Sequence, residues 1–158
     1  MDRPRPPSVA NTGVLRPPLV VLASLLAGGL LTGAWPFPFF PAVLRLPVGG
    51  LMVAMAAALL SYSVRQLRMA GTPAPGNKPT TVIVRTGPYR FSRNPIYLAF
   101  FALHLGLAIW ADSLWLVATL IPTVAIIAGV VVPREERYLS RRFGAEYQEY
   151  KASVRRWL

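Results

Sequence analysis

Residues 86–111 read T-G-P-Y-R-F-S-R-N-P-I-Y-L-A-F-F-A-L-H-L-G-L-A-I-W-A. A polar stretch broken by Gly87-Pro88 and flanked by Arg85, Arg90 and Arg93 runs without a linker into sixteen apolar positions interrupted only by His104. Asn94-Pro95 has the form of a helix start, with Asn94 at the N-cap and Pro95 at the first helical position, where its missing N–H costs nothing. A charged loop feeding directly into an uncharged helix of this length is a membrane entry point.

Working outward, further apolar runs lie at about 17–35, 47–67 and 113–132, each near the ~20 residues that cross a bilayer core. The fold expected is an all-α membrane protein with about four transmembrane helices and a C-terminal amphipathic helix. The composition agrees, at 54% hydrophobic against 15% charged. Trp35-Pro36-Phe37-Pro38-Phe39-Phe40-Pro41 reads as an interfacial aromatic loop, and it argues that the first run is an anchor rather than a cleaved leader. Gly28, Gly29, Gly33, Gly49, Gly50 and the alanines of 54–58 are expected to let helices pack closely.

The net charge of +11 does not point to nucleic acid, because the basic residues fringe the apolar runs. Lys plus Arg number three before the first run, one in the first loop, six from Arg65 to Arg93, none at Ala111–Ser113 and seven after Pro133. This alternation predicts a multi-pass protein with both termini cytoplasmic, so that 71–94 and 133–158 share one face. Residues 1–16 are expected to be a disordered cytoplasmic N-terminus, 17–70 two transmembrane helices, and 71–158 a ligand-binding core of loop, helical hairpin and tail. Residues 71–81 are rich in Gly, Pro and Thr and read as a loop; Thr81–Val84 is extended by propensity. There is no cysteine and one histidine, which excludes thiol chemistry and argues against a protein-held metal.

Three polar features outside the entry loop carry candidate chemistry. Glu135-Glu136 point about 100° apart on a helix, so they are not an acid/base dyad on one face. Either they are a helix-start charge pattern favoured by the macrodipole, or one faces inward to accept from a cation while the other pairs with an arginine. His104 is either a bond between helices or an intramembrane functional group. Leu139, Phe143, Tyr147, Tyr150, Val154 and Trp157 form one helical stripe, predicting an amphipathic tail in which Gly144 is the point of bending.

The order T-G-P-Y-R-F-S-R-N-P-I-Y-L, then a hairpin, then E-E-R-Y-L-S-R-R-F-G-A-E-Y-Q-E-Y, resembles the isoprenylcysteine carboxyl methyltransferase and phospholipid methyltransferase superfamily of integral membrane enzymes, over about residues 77–158. The resemblance implies S-adenosylmethionine as methyl donor. By position it implies cofactor contacts at Thr81, Val82, Ile83, Val84, Tyr89, Asn94, Pro95, Ile96, Tyr97 and Glu135, with Glu135 near the methionyl ammonium. Asn94 stands where the family usually has histidine, which removes a group titrating near neutrality. Arg134 is a candidate for steering an acidic acceptor. The expected activity is methyl transfer to the carboxylate of a prenylcysteine-like or other lipid-like acceptor, with membrane lipids as surroundings and neither nucleic acid nor metal as partner. A membrane reductase of the sterol-reductase type using NADPH, and a non-catalytic membrane adaptor, are the alternatives.

Overall fold

A computed structural model describes residues 16–73 and 79–158. The expected disordered N-terminus, Arg16 apart, and the middle of the 71–81 loop lie outside the described residues. The elements are α1 (Pro17–Ala34), α2 (Ala42–Met69), a single 3₁₀ turn (Gly87–Arg90), α3 (Pro95–Trp110), α4 (Leu114–Ile126), α5 (Val132–Phe143) and α6 (Ala145–Ser153). The described residues include no strand. Three helical runs, Pro17–Ala34, Ala42–Met69 and Leu114–Phe143, are long and apolar enough to cross a membrane, and α3 is a shorter apolar helix of 16 residues. Large apolar side chains such as Leu30 and Val43 are more than three-quarters exposed on α1 and α2. Such surfaces suit hydrocarbon rather than water.

The helices stack in an order set by where side chains are small. The most extensive interface joins α2 to α3, and the next joins α1 to α4. A Cβ on Gly49 would lie 2.6 Å from the backbone nitrogen of Trp110, and one on Gly106 would lie 3.0 Å from that of Val53. On the other side, a Cβ on Gly28 would meet Leu116 at 2.7 Å. These glycines are therefore the contact points. Gly29, Gly33 and Gly50, expected in the same role, have nothing within 4 Å and face outward. His104 is fully buried, and its Nε2–H donates to the Leu116 carbonyl at 3.0 Å across the α3–α4 hairpin. Ser24 Oγ of α1 lies 3.5 Å from the other ring nitrogen. The interhelical bond is thus the reading that the geometry supports.

One helix runs further than its apolar stretch, and one expectation needs correction. The helix from Leu114 does not end with the apolar run at Val132. It passes through a π turn (Ile127–Val131) into α5. The π turn immediately precedes Pro133, whose ring would otherwise strike the carbonyl four residues back, and it lets the helix continue past a breaker. The tail, in turn, is not one amphipathic helix. Gly144 at φ +55° ends α5, a conformation that glycine reaches without the cost a Cβ imposes. After α6 the chain leaves the helix at Val154, which is extended, and residues 155–158 form no regular element. Leu139 and Trp157 therefore do not share a helical face.

Candidate active site

The segment entering α3 and the segment opening α5 meet. Tyr97, in the first turn of α3, donates its hydroxyl to Glu135 Oε1 at 2.6 Å, and both residues are buried. Glu136, one residue on, faces a different way. It is held by Arg156 through Nε–Oε1 at 3.0 Å and Nη2–Oε2 at 2.7 Å, and by Arg93 Nη2 at 3.3 Å. The angular offset of adjacent helical positions gives the two carboxylates separate neighbours. Both are inward-facing, so the helix-start pattern alone does not describe them.

The C-terminal residues fasten to the entry loop. The Arg93 backbone N–H donates to the Arg155 carbonyl at 3.0 Å, and the Arg156 carbonyl accepts from Asn94 Nδ2 at 2.9 Å and Ser92 Oγ at 3.2 Å. Asn94 occupies the N-cap position of α3, but its side chain makes no cap bond. It ties the tail to the entry loop instead. Trp157 packs on Phe101 with ring centroids 5.8 Å apart. From α6, Tyr150 donates its hydroxyl to the Tyr89 carbonyl at 2.8 Å, while Arg85 bonds the Glu146 carbonyl and the Glu149 carboxylate.

Between these elements lies a cavity of about 200 Å³ with a mostly apolar wall. Of the residues singled out in the sequence, Val82, Ile83, Val84, Tyr89, Asn94, Pro95, Ile96, Tyr97 and Glu135 line it. Thr81 and Arg134 do not. Thr81 is bonded to Thr72 Oγ1 and the Gly71 carbonyl, fastening the loop to the end of α2. The sequence reading missed Arg93, Glu136, Tyr138, Tyr147 and Tyr150 as wall residues, although the two last belong to the tail stripe. It also missed the wall supplied by the earlier helices through Pro17, Pro18, Leu60, Val64 and Leu67.

Three phenols of the wall, Tyr89, Tyr147 and Tyr150, are held in the protonated form. Burial, then Tyr150 and Glu135, push Tyr89 well above the usual phenol range, and burial followed by Tyr147 does the same to Tyr150. Burial and then Glu136 raise Tyr147 to about 12, with Arg93 opposing. The hydrogen bond to Glu136 raises Arg156 further. Tyr89 Oη and two nitrogens of Arg93, Nε and Nη1, are buried without a hydrogen-bond partner among the described residues.

A family model described as phospholipid methyltransferase matches residues 44–146. The nickel-cobalt-cadmium resistance protein NccN of Alcaligenes xylosoxydans xylosoxydans is 32% identical over 132 residues, covering 82% of this chain and 57% of that protein. The cobalt-zinc-cadmium resistance protein CzcN of Cupriavidus metallidurans is 32% identical over 131 residues, covering 82% of this chain and 54% of that protein. An uncharacterized protein of Haemophilus influenzae is 35% identical over 63 residues, which is 40% of this chain and 100% of that protein. The chain thus spans little more than half the length of the two resistance proteins it matches. No solved structure matches.

Proposed function

The chain belongs to the phospholipid methyltransferase family, and from that premise we propose that it is an integral membrane methyltransferase that uses S-adenosylmethionine and acts on a lipophilic acceptor. One observation carries the reading. Tyr89 and 94–97 from one segment, and Glu135 from a segment about forty residues later, wall the same cavity, joined by the Tyr97–Glu135 bond.

The residues present fit the donor. A buried carboxylate, oriented by a phenol, matches an ammonium, and the apolar wall of Val82, Ile83, Val84 and Ile96 offers surface to a flat ring. When bound, S-adenosylmethionine supplies an electrophilic methyl on a sulfonium that leaves as a neutral thioether. Glu135 would hold the ammonium, Tyr97 would fix the rotamer of Glu135, and Tyr89 would offer an uncommitted hydroxyl. Leu60, Val64 and Phe100 would receive the acceptor's hydrocarbon and exclude water. Tyr89, Tyr147 and Tyr150, all raised, are poor bases, which suits an acceptor that brings a nucleophile already in its reactive state, such as a carboxylate. Catalysis then rests on positioning, and on bringing opposite charges together where water is absent. The arginine distribution supports a cytoplasmic side for both termini and for the cavity.

The two resistance proteins are named for a phenotype and not a reaction, so their names leave methyl transfer in place. Titrating the purified chain with S-adenosylmethionine and with NADPH tests the proposal. Saturable binding of the first, lost in Glu135→Gln and Tyr89→Ala, is the expected result. Binding of NADPH alone means a reductase, and binding of neither means an adaptor. A methyl-radioactive donor with a lipid extract then identifies the acceptor by the product that becomes labelled.

A further inference from the structure

We propose that Arg93 is a carboxylate-binding group of the cavity, and that Arg156 keeps it available by holding Glu136. The inference rests on the methyl-donor reading and adds a second recognition point to it.

Three charged side chains meet at one edge of the cavity, two cations and one anion. Glu136 is chelated by Arg156 at 2.7 and 3.0 Å, whereas its contact with Arg93 is a single one at 3.3 Å. The more accessible arginine therefore takes most of the shared carboxylate: the Arg156 side chain is 42% exposed and that of Arg93 only 8%. Arg93 also interacts with the Tyr147 phenol, yet its Nε and Nη1 are buried without a hydrogen-bond partner among the described residues, with Tyr150 beside it in the cavity wall. A buried guanidinium that forgoes acceptors bears a desolvation cost, and it is relieved by a ligand with paired oxygens. Nε and Nη1 lie on different edges of the guanidinium, so a carboxylate would bind one of them together with the second hydrogen of Nη2, whose other contact is Glu136 at 3.3 Å, and that paired edge suits a carboxylate better than any neutral acceptor. The main chain of Arg93 is fixed by the Arg155 carbonyl, so the group is held in place before a ligand arrives.

The triad carries one surplus positive charge, the complement of a single carboxylate. Were Arg156 neutral, Glu136 would turn its full charge on Arg93 and occupy the fork. Arg156 is thus a positioning residue that acts through Glu136 and need not touch the ligand. Two ligands offer the required anion: the amino-acid head of the donor, and an acidic acceptor.

Calorimetric titration of the full chain in lipid nanodiscs, with S-adenosylmethionine and with its decarboxylated form, separates these sources. If the donor supplies the carboxylate, the wild type prefers the intact compound by about 10- to 100-fold, the range for a charge-assisted bond. Arg93→Gln then binds both forms alike. Should the acceptor supply it, Arg93→Gln leaves donor affinity unchanged but abolishes turnover of a carboxylate acceptor. Arg156→Gln is expected to reproduce the effect of Arg93→Gln, with Glu136→Gln added to it restoring binding and Arg156→Lys nearly sparing it. A purely structural strap would not be rescued by removing the second charge. Equal binding of both donor forms by the wild type, together with unchanged turnover in Arg93→Gln, overturns the assignment while the donor reading stands. Absence of any donor binding by the wild type overturns both. Should Arg93→Gln fail to fold, the wild-type preference and the Arg156/Glu136 pair decide.

Discussion

The two ends of the α3–α4 hairpin both carry buried or half-buried carboxylates, and they use them differently. At the tip, Asp112 takes φ +52° and closes the turn, while its Oδ1 accepts from the backbone N–H groups of Phe39 and Phe40 at 2.8 Å each. Arg45 stands 3.8 Å from Oδ2, and Ser113 caps α4 through Leu116 N. The carboxylate's partners there come from this chain, and the effect is to staple the aromatic-proline loop. At the other end, Arg93 and Tyr89 have polar atoms with no partner among the described residues, and a cavity opens beside them. A polar cluster whose bonds are complete reads as architecture. One that leaves donors unmatched beside a cavity reads as a place for a ligand.

The largest effect expected from breaking this contrast is at Glu135. Glu135→Gln removes the charge proposed for the donor's ammonium and is expected to weaken donor binding by about 100-fold, as loss of a buried charge partner does. Its thermal unfolding should stay near that of the wild type, because Gln keeps a carbonyl for the Tyr97 hydroxyl. Next comes Gly49→Leu, which drives a side chain into the Trp110 backbone and should destabilise the α2–α3 interface by about 1–3 kcal/mol. Unfolding in detergent would measure it, and unaltered stability would mean that the helices are not in contact there. Tyr97→Phe removes only the 2.6 Å bond to Glu135 and is expected to cost about 10-fold in donor affinity. If Tyr97→Phe bound as well as the wild type, the phenol would belong with the architectural end.

The sequence carried the membrane class, the entry loop and the pairing of that loop with Glu135, because each depends on local composition or on the hairpin that joins them. What it hid depends on long-range partners. Asn94 looked like an N-cap, and it holds that position; yet the Arg156 carbonyl, sixty-two residues away, claims its amide. The stripe from Leu139 to Trp157 looked helical throughout, since periodicity cannot register that Gly144 turns the chain and that Val154 must be extended for the tail to reach Arg93. Arg93 itself stood in the motif, but only burial and the competition for Glu136 distinguish it from Arg90. Of the five glycines of α1 and α2, contact selects Gly28 and Gly49, which a pattern of small residues alone does not do.

The smallest effect belongs to the tip, and its pH dependence has a definite sign. The backbone donors of Phe39 and Phe40, with Arg45 assisting, hold Asp112 below its ordinary value. A depressed carboxyl contributes stability that is fully present above the unfolded pKa of about 4 and lost as pH falls through the folded value. Asp112→Asn lacks that contribution at every pH. It should therefore melt slightly below the wild type at pH 7, with the gap closing below about pH 4. Donor binding by Asp112→Asn should be unchanged, since the tip and the cavity lie at opposite ends of α3. A fall in donor affinity comparable to that of Tyr97→Phe would show the two ends to be coupled, and the division between them drawn here would fail.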